Sequence, residues 1–330
     1  MTNKRTSLAD IADSLNISKS TVSFVLNGKG KQFNISAKTQ QLIVDKANEL
    51  NYVPNYFAKS LREGKTHTIG LVLADISNPF YSELSKSIQE ALYAKGYSLF
   101  IVSTNDDPKM ELKLMQELIL RSVDALIIAP CNEIPALKIL LDQTPIPVVW
   151  VDRIGDEHAD FVGIDNRKEA ERIVDLFTNK PKVVAAIIPE GEQSMTIQLR
   201  KEGLINSCNK QGIDLRFIEI SEDIQQIKAQ LHEMKKAHVD GIVALSNRSA
   251  LNLLRVFHQS TIHLRQDFQF ISFDDIPAFE FYKEPVSALR QQIARIGEET
   301  VLRLLDRLDV VTDKRKHLLI ECDFIARDSH

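Results

Sequence analysis

Near the N-terminus, Leu8, Ile11, Ala12 and Leu15 recur at i, i+3, i+4 and i+7, the apolar stripe of a short amphipathic helix. Asn16-Ile17-Ser18 breaks the period, and Ser18 suits the N-cap of a second helix from Lys19. At about 100° per residue, Val22 and Val25 fall on one side of that helix and Lys19, Ser20 and Ser23 on the other. A helix with a packed inner face and a small polar outer face fits a DNA major groove. The same pattern also describes an ordinary surface hairpin. A third helical pattern follows Ser36, with Leu42, Ile43, Ala47 and Leu50 apolar.

After Gly64 the texture changes to alternating strand and helix. Thr68 to Ala74 reads as a buried parallel strand, and Phe80 to Lys95 as a helix that Gly96 terminates. Strand patterns follow at 97–103, 125–129 and 148–152, with helical patterns at 110–121 and 135–141. A second series begins near Phe161, with strands at 183–188, 215–220, 241–244 and 270–273. Helical patterns at 168–177, 196–210, 224–237 and 250–257 separate them. Two series of βα units predict two doubly wound, parallel-sheet α/β lobes behind an all-α head.

Charge sharpens this division. The chain of 330 residues has a net charge of −4, which by itself argues against DNA binding. Residues 1–65, however, hold ten Lys/Arg against five Asp/Glu, and the remainder holds 31 against 40. A basic head on an acidic body keeps phosphate attraction local. Cys131, Cys208 and Cys322 are far apart, with no CxxC pair and no nearby His cluster, so a reduced compartment and no structural metal are expected. The N-terminal MTNKRTSLADIADSL lacks the apolar stretch of a signal peptide, and no run reaches a membrane span. A cytoplasmic location is expected.

ADIADSLNISKSTVSFVLNG, followed by NYVPNYFAKSLREGKTHTIGLVLADISNPFY, resembles the N-terminal region of the LacI/GalR family of bacterial transcription regulators. The similarity continues through DALIIAP, VVWVDR, ISFDD and the closing FIARDS, and so spans nearly the whole chain. It implies a helix-turn-helix head (1–53), a hinge helix and linker (54–66), and an effector-binding and dimerisation body (67–330) of the periplasmic-binding-protein type. In that arrangement the chain crosses between lobes three times, expected near Asp165, Gln292 and His317. The first lobe would comprise about 67–165 and 293–317, the second about 166–292 and 318–330. The resemblance further implies a homodimeric repressor, a palindromic or pseudopalindromic double-stranded operator, a sugar-like effector between the lobes, and no cofactor.

On the head, Lys19, Ser20, Ser23 and Phe24 match the family positions that face the major groove, while Ser18 and Thr21 are placed to meet phosphates at the helix start. Phe24 departs from the family, which commonly carries a basic or hydrogen-bonding side chain there. A phenyl ring cannot pair with guanine, but it can pack on a thymine methyl. Alternatively, Phe24 belongs to the three-helix core and reads nothing. The loop from Gly28 to Ile35 is slightly longer than the usual family turn, and its Lys29 and Lys31 suit phosphate contact or simple solvation. Asn55, Ala58, Leu61 and Arg62 match the hinge helix. Asn55 would cap it, Ala58 would allow close pairing with a second copy, and Leu61 matches the family's minor-groove wedge.

Open α/β lobes take ligands beyond the carboxyl ends of their strands. Asp75, Asn78, Phe80 and Tyr81 lie just past the first strand, and Asp152, Asn247 and Asp274 past others. A ring among short polar side chains suits a sugar. By resemblance, Arg200 and Asp274 match positions that most often grip effector. Each of these residues could instead cap a helix or bridge the lobes. Ser272 in place of the usual glycine, and Arg248 where the family often has aspartate, leave the ligand's identity open.

Two other classes compete. A sugar-binding protein of transport would share the body but would require an export signal and no head. An enzyme finds little support, because there is no GxGxxG after a strand, no Walker loop, no GxSxG and no HExxH.

Overall fold

The computed structural model describes residues 6–53, 64–131, 135–144, 146–155, 159–258, 262–309 and 316–330. The chain divides into two units, Met1–Thr66 and His67–His330.

Among the described residues, three helices build the first unit: α1 (Leu8–Leu15), α2 (Lys19–Leu26) and α3 (Ala37–Glu49). Ser7 and Asp10 close a reciprocal capping box at the start of α1, and Asn16, at φ 53°, takes the left-handed conformation that ends it. The Ser18 and Ser36 side chains accept from the Thr21 and Thr39 amides and so open α2 and α3. The apolar stripes then converge: Ile11, Ala12, Val22, Val25, Ile43 and Ala47 are buried together, with Leu8, Leu15 and Leu50 packed around them. Truncating Ile11 or Ile43 to Ala would cost about 2–5 kcal/mol, a large share of a small domain's stability. The expected hinge helix, with Asn55, Ala58, Leu61 and Arg62, lies outside the described residues.

The second unit holds two six-stranded sheets. In the first lobe β1 (Thr68–Leu73), α4 (Pro79–Tyr93), β2 (Ser98–Ser103), α5 (Pro108–Leu120), β3 (Ala125–Ile128), α6 (Pro135–Asp142), β4 (Val148–Val151) and β5 (Asp160–Gly163) follow in order. The second lobe comprises α7 (Asn166–Ile173), β6 (Val183–Pro189), α8 (Met195–Gln211), β7 (Asp214–Ile220), α9 (Ile224–Lys236), β8 (Gly241–Ala244), α10 (Asn247–Phe257), β9 (Gln269–Phe273) and β10 (Ser287–Arg290). The chain then returns through α11 (Ile293–Asp309) and β11 (His317–Leu319) to the first lobe and ends with β12 (Asp323–Ile325) in the second.

Strand orders are β11-β5-β4-β3-β1-β2 and β12-β10-β9-β8-β6-β7, all parallel except for the antiparallel pair β10 and β12. In each sheet the order reverses at one strand, β1 or β6, and the crevice beyond that reversal is where open α/β sheets bind ligands. Wholly buried runs such as ALII in β3 and GIVA in β8 fit strands covered by helices on both faces. Each lobe also has one tight helix pair, α4 with α11 and α7 with α8. At the second, a Cβ on Gly203 would lie 2.2 Å from the Arg167 carbonyl oxygen, so only glycine permits that approach.

Three expectations need correction. The strand around Phe161 pairs with β4 and belongs to the first sheet, so it closes the first series and does not open the second. The third crossing falls after Leu319, not at His317, because β11 pairs in parallel with β5. Strands β10 and β11 were not foreseen. SALR and HLL lack the continuous apolar run that marks the equally short GIVA of β8, and their pairing is set by distant partners. The three cysteines are buried and unbridged.

Candidate functional site

Two surfaces carry chemistry, one on each unit. On the head, Ser18, Lys19 and Ser20 are exposed, while Thr21, Ser23 and Phe24 are half-buried. Ser18 is partly committed: its hydroxyl accepts the Thr21 amide at 3.0 Å and lies 2.8 Å from the Thr21 hydroxyl. Asn27 Nδ2 donates to the Ser23 carbonyl at 2.7 Å and also reaches the Ser23 hydroxyl. Phe24 does not join the three-helix core. Its ring lies flat against Phe33, with centroids 3.7 Å apart and planes 10° from parallel. Phe33 comes from the loop after α2, and the sequence gives no sign of the pairing, because the irregular backbone from Asn27 to Gln32 lies between that helix and the ring and leaves no periodic trace. Lys29 and Lys31 are exposed on that loop.

In the second unit, a cleft of about 410 Å³ opens beyond the carboxyl ends of both sheets. Asp75, Asn78, Phe80, Tyr81, Asp152, Arg200, Asn247 and Asp274 all line it. Asp152 and Asp274 follow β4 and β9, and each takes a left-handed backbone, at φ 63° and 67°. Aspartate tolerates that conformation better than most residues, and such outliers concentrate at functional sites. Each side chain is held from within its own lobe. Tyr81 Oη donates to Asp152 at 2.7 Å, and Gln291 Nε2 donates to Asp274 at 2.7 Å.

Arg200 is the most constrained group. It is 4% exposed, donates to Asn166 Oδ1 at 2.8 Å, to the Leu245 carbonyl at 2.7 Å and to Asp274 at 3.2 Å, and lies over the Phe273 ring at 3.6 Å. A guanidinium suits this because it can bond in plane and stack at once. Other residues serve their own turns. Asp75 accepts from the Ser77 amide and hydroxyl, and Asn78 caps α4 through the Phe80 amide.

The structure adds residues that the sequence did not single out. Arg153, next to Asp152, is buried and paired with Asp106, and its Nε makes no hydrogen bond. Glu192, Ser194, Glu222 and Gln291 also line the cleft, together with Arg248, which the sequence marks as a departure from the family. Six carboxylates (Asp75, Asp106, Asp152, Glu192, Glu222, Asp274) therefore face three guanidiniums (Arg153, Arg200, Arg248). Each guanidinium is already paired, with Asp106, Asp274 and Glu222 respectively. Burial pushes the Asp152 carboxyl above its ordinary range, against the pull of Arg153 and the Tyr81 hydrogen bond. Burial, with the Asp152 carboxylate, likewise raises the Tyr81 phenol well above its ordinary value, so Tyr81 stays a donor. Among the described residues there is no cluster of metal-ligating side chains, and no helix is long and apolar enough to cross a membrane.

Comparisons with known proteins bear on both surfaces. Residues 7–55 match the model for bacterial regulatory proteins of the lacI family. Residues 66–328 match the model for periplasmic binding proteins and the sugar binding domain of the LacI family. The HTH-type transcriptional repressor PurR of Pasteurella multocida is 25% identical over 332 residues, covering 98% of each chain. Catabolite control protein A of Staphylococcus aureus is 28% identical over 293 residues, covering 87% of this chain and 88% of that protein. In fold, the chain is similar to the lac repressor dimer bound to operator and the anti-inducer ONPF, at a TM-score of 0.85, 19% identity and 99% coverage of both chains.

Proposed function

Since the chain belongs to the LacI family of bacterial regulatory proteins, and is thus a DNA-binding transcriptional regulator and not an enzyme, we propose that it is a homodimeric repressor whose operator affinity is set by an uncharged, sugar-like ligand in the cleft. One observation supports the ligand class above others: six carboxylates line the cleft and all three guanidiniums are already neutralised. A ligand carboxylate or phosphate about 4 Å from an uncompensated carboxylate would lose about 4 kcal/mol at an effective dielectric near 20. Hydroxyls meet no such penalty. Asp152, Asp274 and Asn247 accept or donate to them, and Phe80 offers an apolar side. The buried Arg153 Nε, left without a hydrogen bond, is a donor that a hydroxyl or an ordered water would satisfy.

On the head, Ser18, Lys19, Ser20, Thr21, Ser23 and Phe24 would meet the operator, with Asn55, Ala58, Leu61 and Arg62 supplying the hinge. Ligand-driven closure of the lobes would alter the spacing of paired hinges, and linkage makes the coupling reciprocal. Cytoplasmic placement belongs to this reading.

A thermal-shift panel that pairs neutral sugars with their phosphates and uronic acids tests the reading, with operator affinity measured for every hit. A neutral sugar that raises Tm and changes operator affinity is the expected result. Hits confined to anionic ligands, or a hit without effect on operator affinity, would overturn it.

A further inference from the structure

Phe24 and Phe33 form a two-ring stack on the outside of the head, and Phe33 is still 47% exposed. Exposed phenyl rings are costly unless something covers them. Their location, on α2 and on the loop that follows it, indicates what does. The core-facing residues Val22 and Val25 lie on one side of α2, while Ser20, Ser23 and Phe24 lie on the opposite side. The stack therefore extends the polar outer face of α2 at its C-terminal half.

The loop that presents Phe33 is built, not loose. The Lys29 amide donates to the Phe24 carbonyl at 2.8 Å, the Ile35 amide to Gly30 at 2.9 Å and the Phe33 amide to Lys29 at 3.2 Å. Gln40 Nε2 ties the loop's end to α3 through the Ile35 carbonyl at 2.7 Å. Gly30 is buried so closely that a Cβ would meet the Gln40 side chain at 2.5 Å. This framework holds the ring over Phe24 and leaves the Lys29 and Lys31 side chains exposed on either side of Gly30. Apolar rings flanked by cations match a groove wall of thymine methyl groups bordered by phosphates.

We propose that Phe33 is a specificity-determining residue that acts with Phe24 as one apolar reading surface for thymine-bearing steps of the operator half-site. This rests on the head being a sequence-specific DNA reader. Without Phe33, Phe24 would lose the contact that fixes its ring, and half of the apolar surface would be gone. Phe33→Tyr keeps the stack, whereas Phe33→Ala removes it.

Selection on randomised half-sites with the full chain tests the proposal, using wild type, Phe33→Ala, Phe33→Tyr, Phe24→Ala and the double variant Phe24→Ala/Phe33→Ala. Wild type should enrich T·A pairs at one or two positions per half-site. Phe33→Ala should weaken discrimination there by roughly tenfold, within the usual cost of one mismatched pair, with an unchanged salt slope because no phosphate contact is lost. Phe24→Ala and the double variant should flatten the same positions and no others, and Phe33→Tyr should retain the preference. Thermal melting of each variant checks that the head remains folded. A folded Phe33→Ala chain with wild-type base preferences overturns the proposal, as does an equal loss of affinity for all sequences. If wild-type protein enriches no site, the reading of the head as a sequence-specific reader fails and takes this proposal with it.

Discussion

Asn247, at the start of α10 in the second lobe, donates its side-chain amide to Asn78 Oδ1 in the first lobe at 3.1 Å. The bond crosses the mouth of the ligand cleft and joins residues 169 positions apart. The same Asn78 oxygen accepts the Phe80 amide at 3.0 Å, so the latch is attached directly to the N-cap of α4.

Asn247→Ala is the cleaner probe of that latch, because changing Asn78 would also uncap α4. One net hydrogen bond is worth about 0.5–1.5 kcal/mol. The variant should therefore bind the cleft ligand roughly two- to tenfold more weakly by calorimetry, with operator binding in the absence of ligand little changed. Unaltered ligand affinity would mean both that the latch does not favour the bound arrangement and that Asn247 makes no bond of its own to the ligand.

Arg200→Lys should abolish the ligand response while leaving ligand-free operator binding in place. An ammonium cannot hold Asn166, the Leu245 carbonyl and Asp274 together while stacking on Phe273. Hydrogen bonds to charged groups are worth about 1.5–3 kcal/mol, so Tm should also drop measurably. A Lys variant that still responds to ligand would show that Arg200 holds the lobe together without gripping anything in the cleft.

How much of this was legible in the sequence differs by element. The head was legible because its stripes and caps are local: Ser18, Val22 and Val25 sit within one turn or two of each other. The lobes' alternating strands were legible from their apolar runs. The return of α11 to the first lobe was not, since nothing in Ile293 to Asp309 says which sheet its apolar face meets. Asp152, Arg200 and Asp274 could be singled out because a ligand cleft must lie beyond strand ends. Arg153 and Glu192 could not, because pairing with Asp106 and the balance of charge in the cleft exist only once distant segments meet.

Asp160 shows the same dependence on distance. The carboxylate is fully buried in β5 and is held by Arg303 and Arg307 of α11 and by the Lys316 amide. Burial alone would raise its pKa, but the Arg307 and Arg303 hydrogen bonds outweigh that and hold the carboxyl below the usual range. A depressed folded-state pKa gives stability that is complete above the unfolded value, about 3.9, and is lost as pH falls through the folded value. Asp160→Asn should cost about 3 kcal/mol or more near neutral pH, since it removes the buried carboxylate that both guanidiniums bond. The Tm gap between wild type and variant should then close below about pH 4. A gap independent of pH would indicate that packing, not charge, carries the effect.

The edge strands give the last prediction. β2 and β7 each end a sheet, paired only with β1 and β6 among the described residues. Both expose apolar side chains: Phe100 is 47% exposed on β2, and Phe217 is 39% exposed on β7. Unpaired edges that carry large apolar residues invite association, and soluble proteins normally blunt them with charge, proline or a cover. Neither strand has proline, and β2, reading SLFIVS, has no charge at all. In the proposed homodimer a second copy of the chain is the natural cover, and aromatic side chains are enriched among the residues that dominate interface energy. Phe100→Asp should therefore weaken self-association by at least about 2 kcal/mol, roughly thirtyfold in dissociation constant. Sedimentation velocity over a concentration series should show the shift to monomer, and adding Phe217→Asp should extend it. Operator binding should fall with the dimer, because one head reads only a half-site. If Phe100→Asp sediments as wild type does, the β2 edge lies outside the interface and the dimer forms through another face.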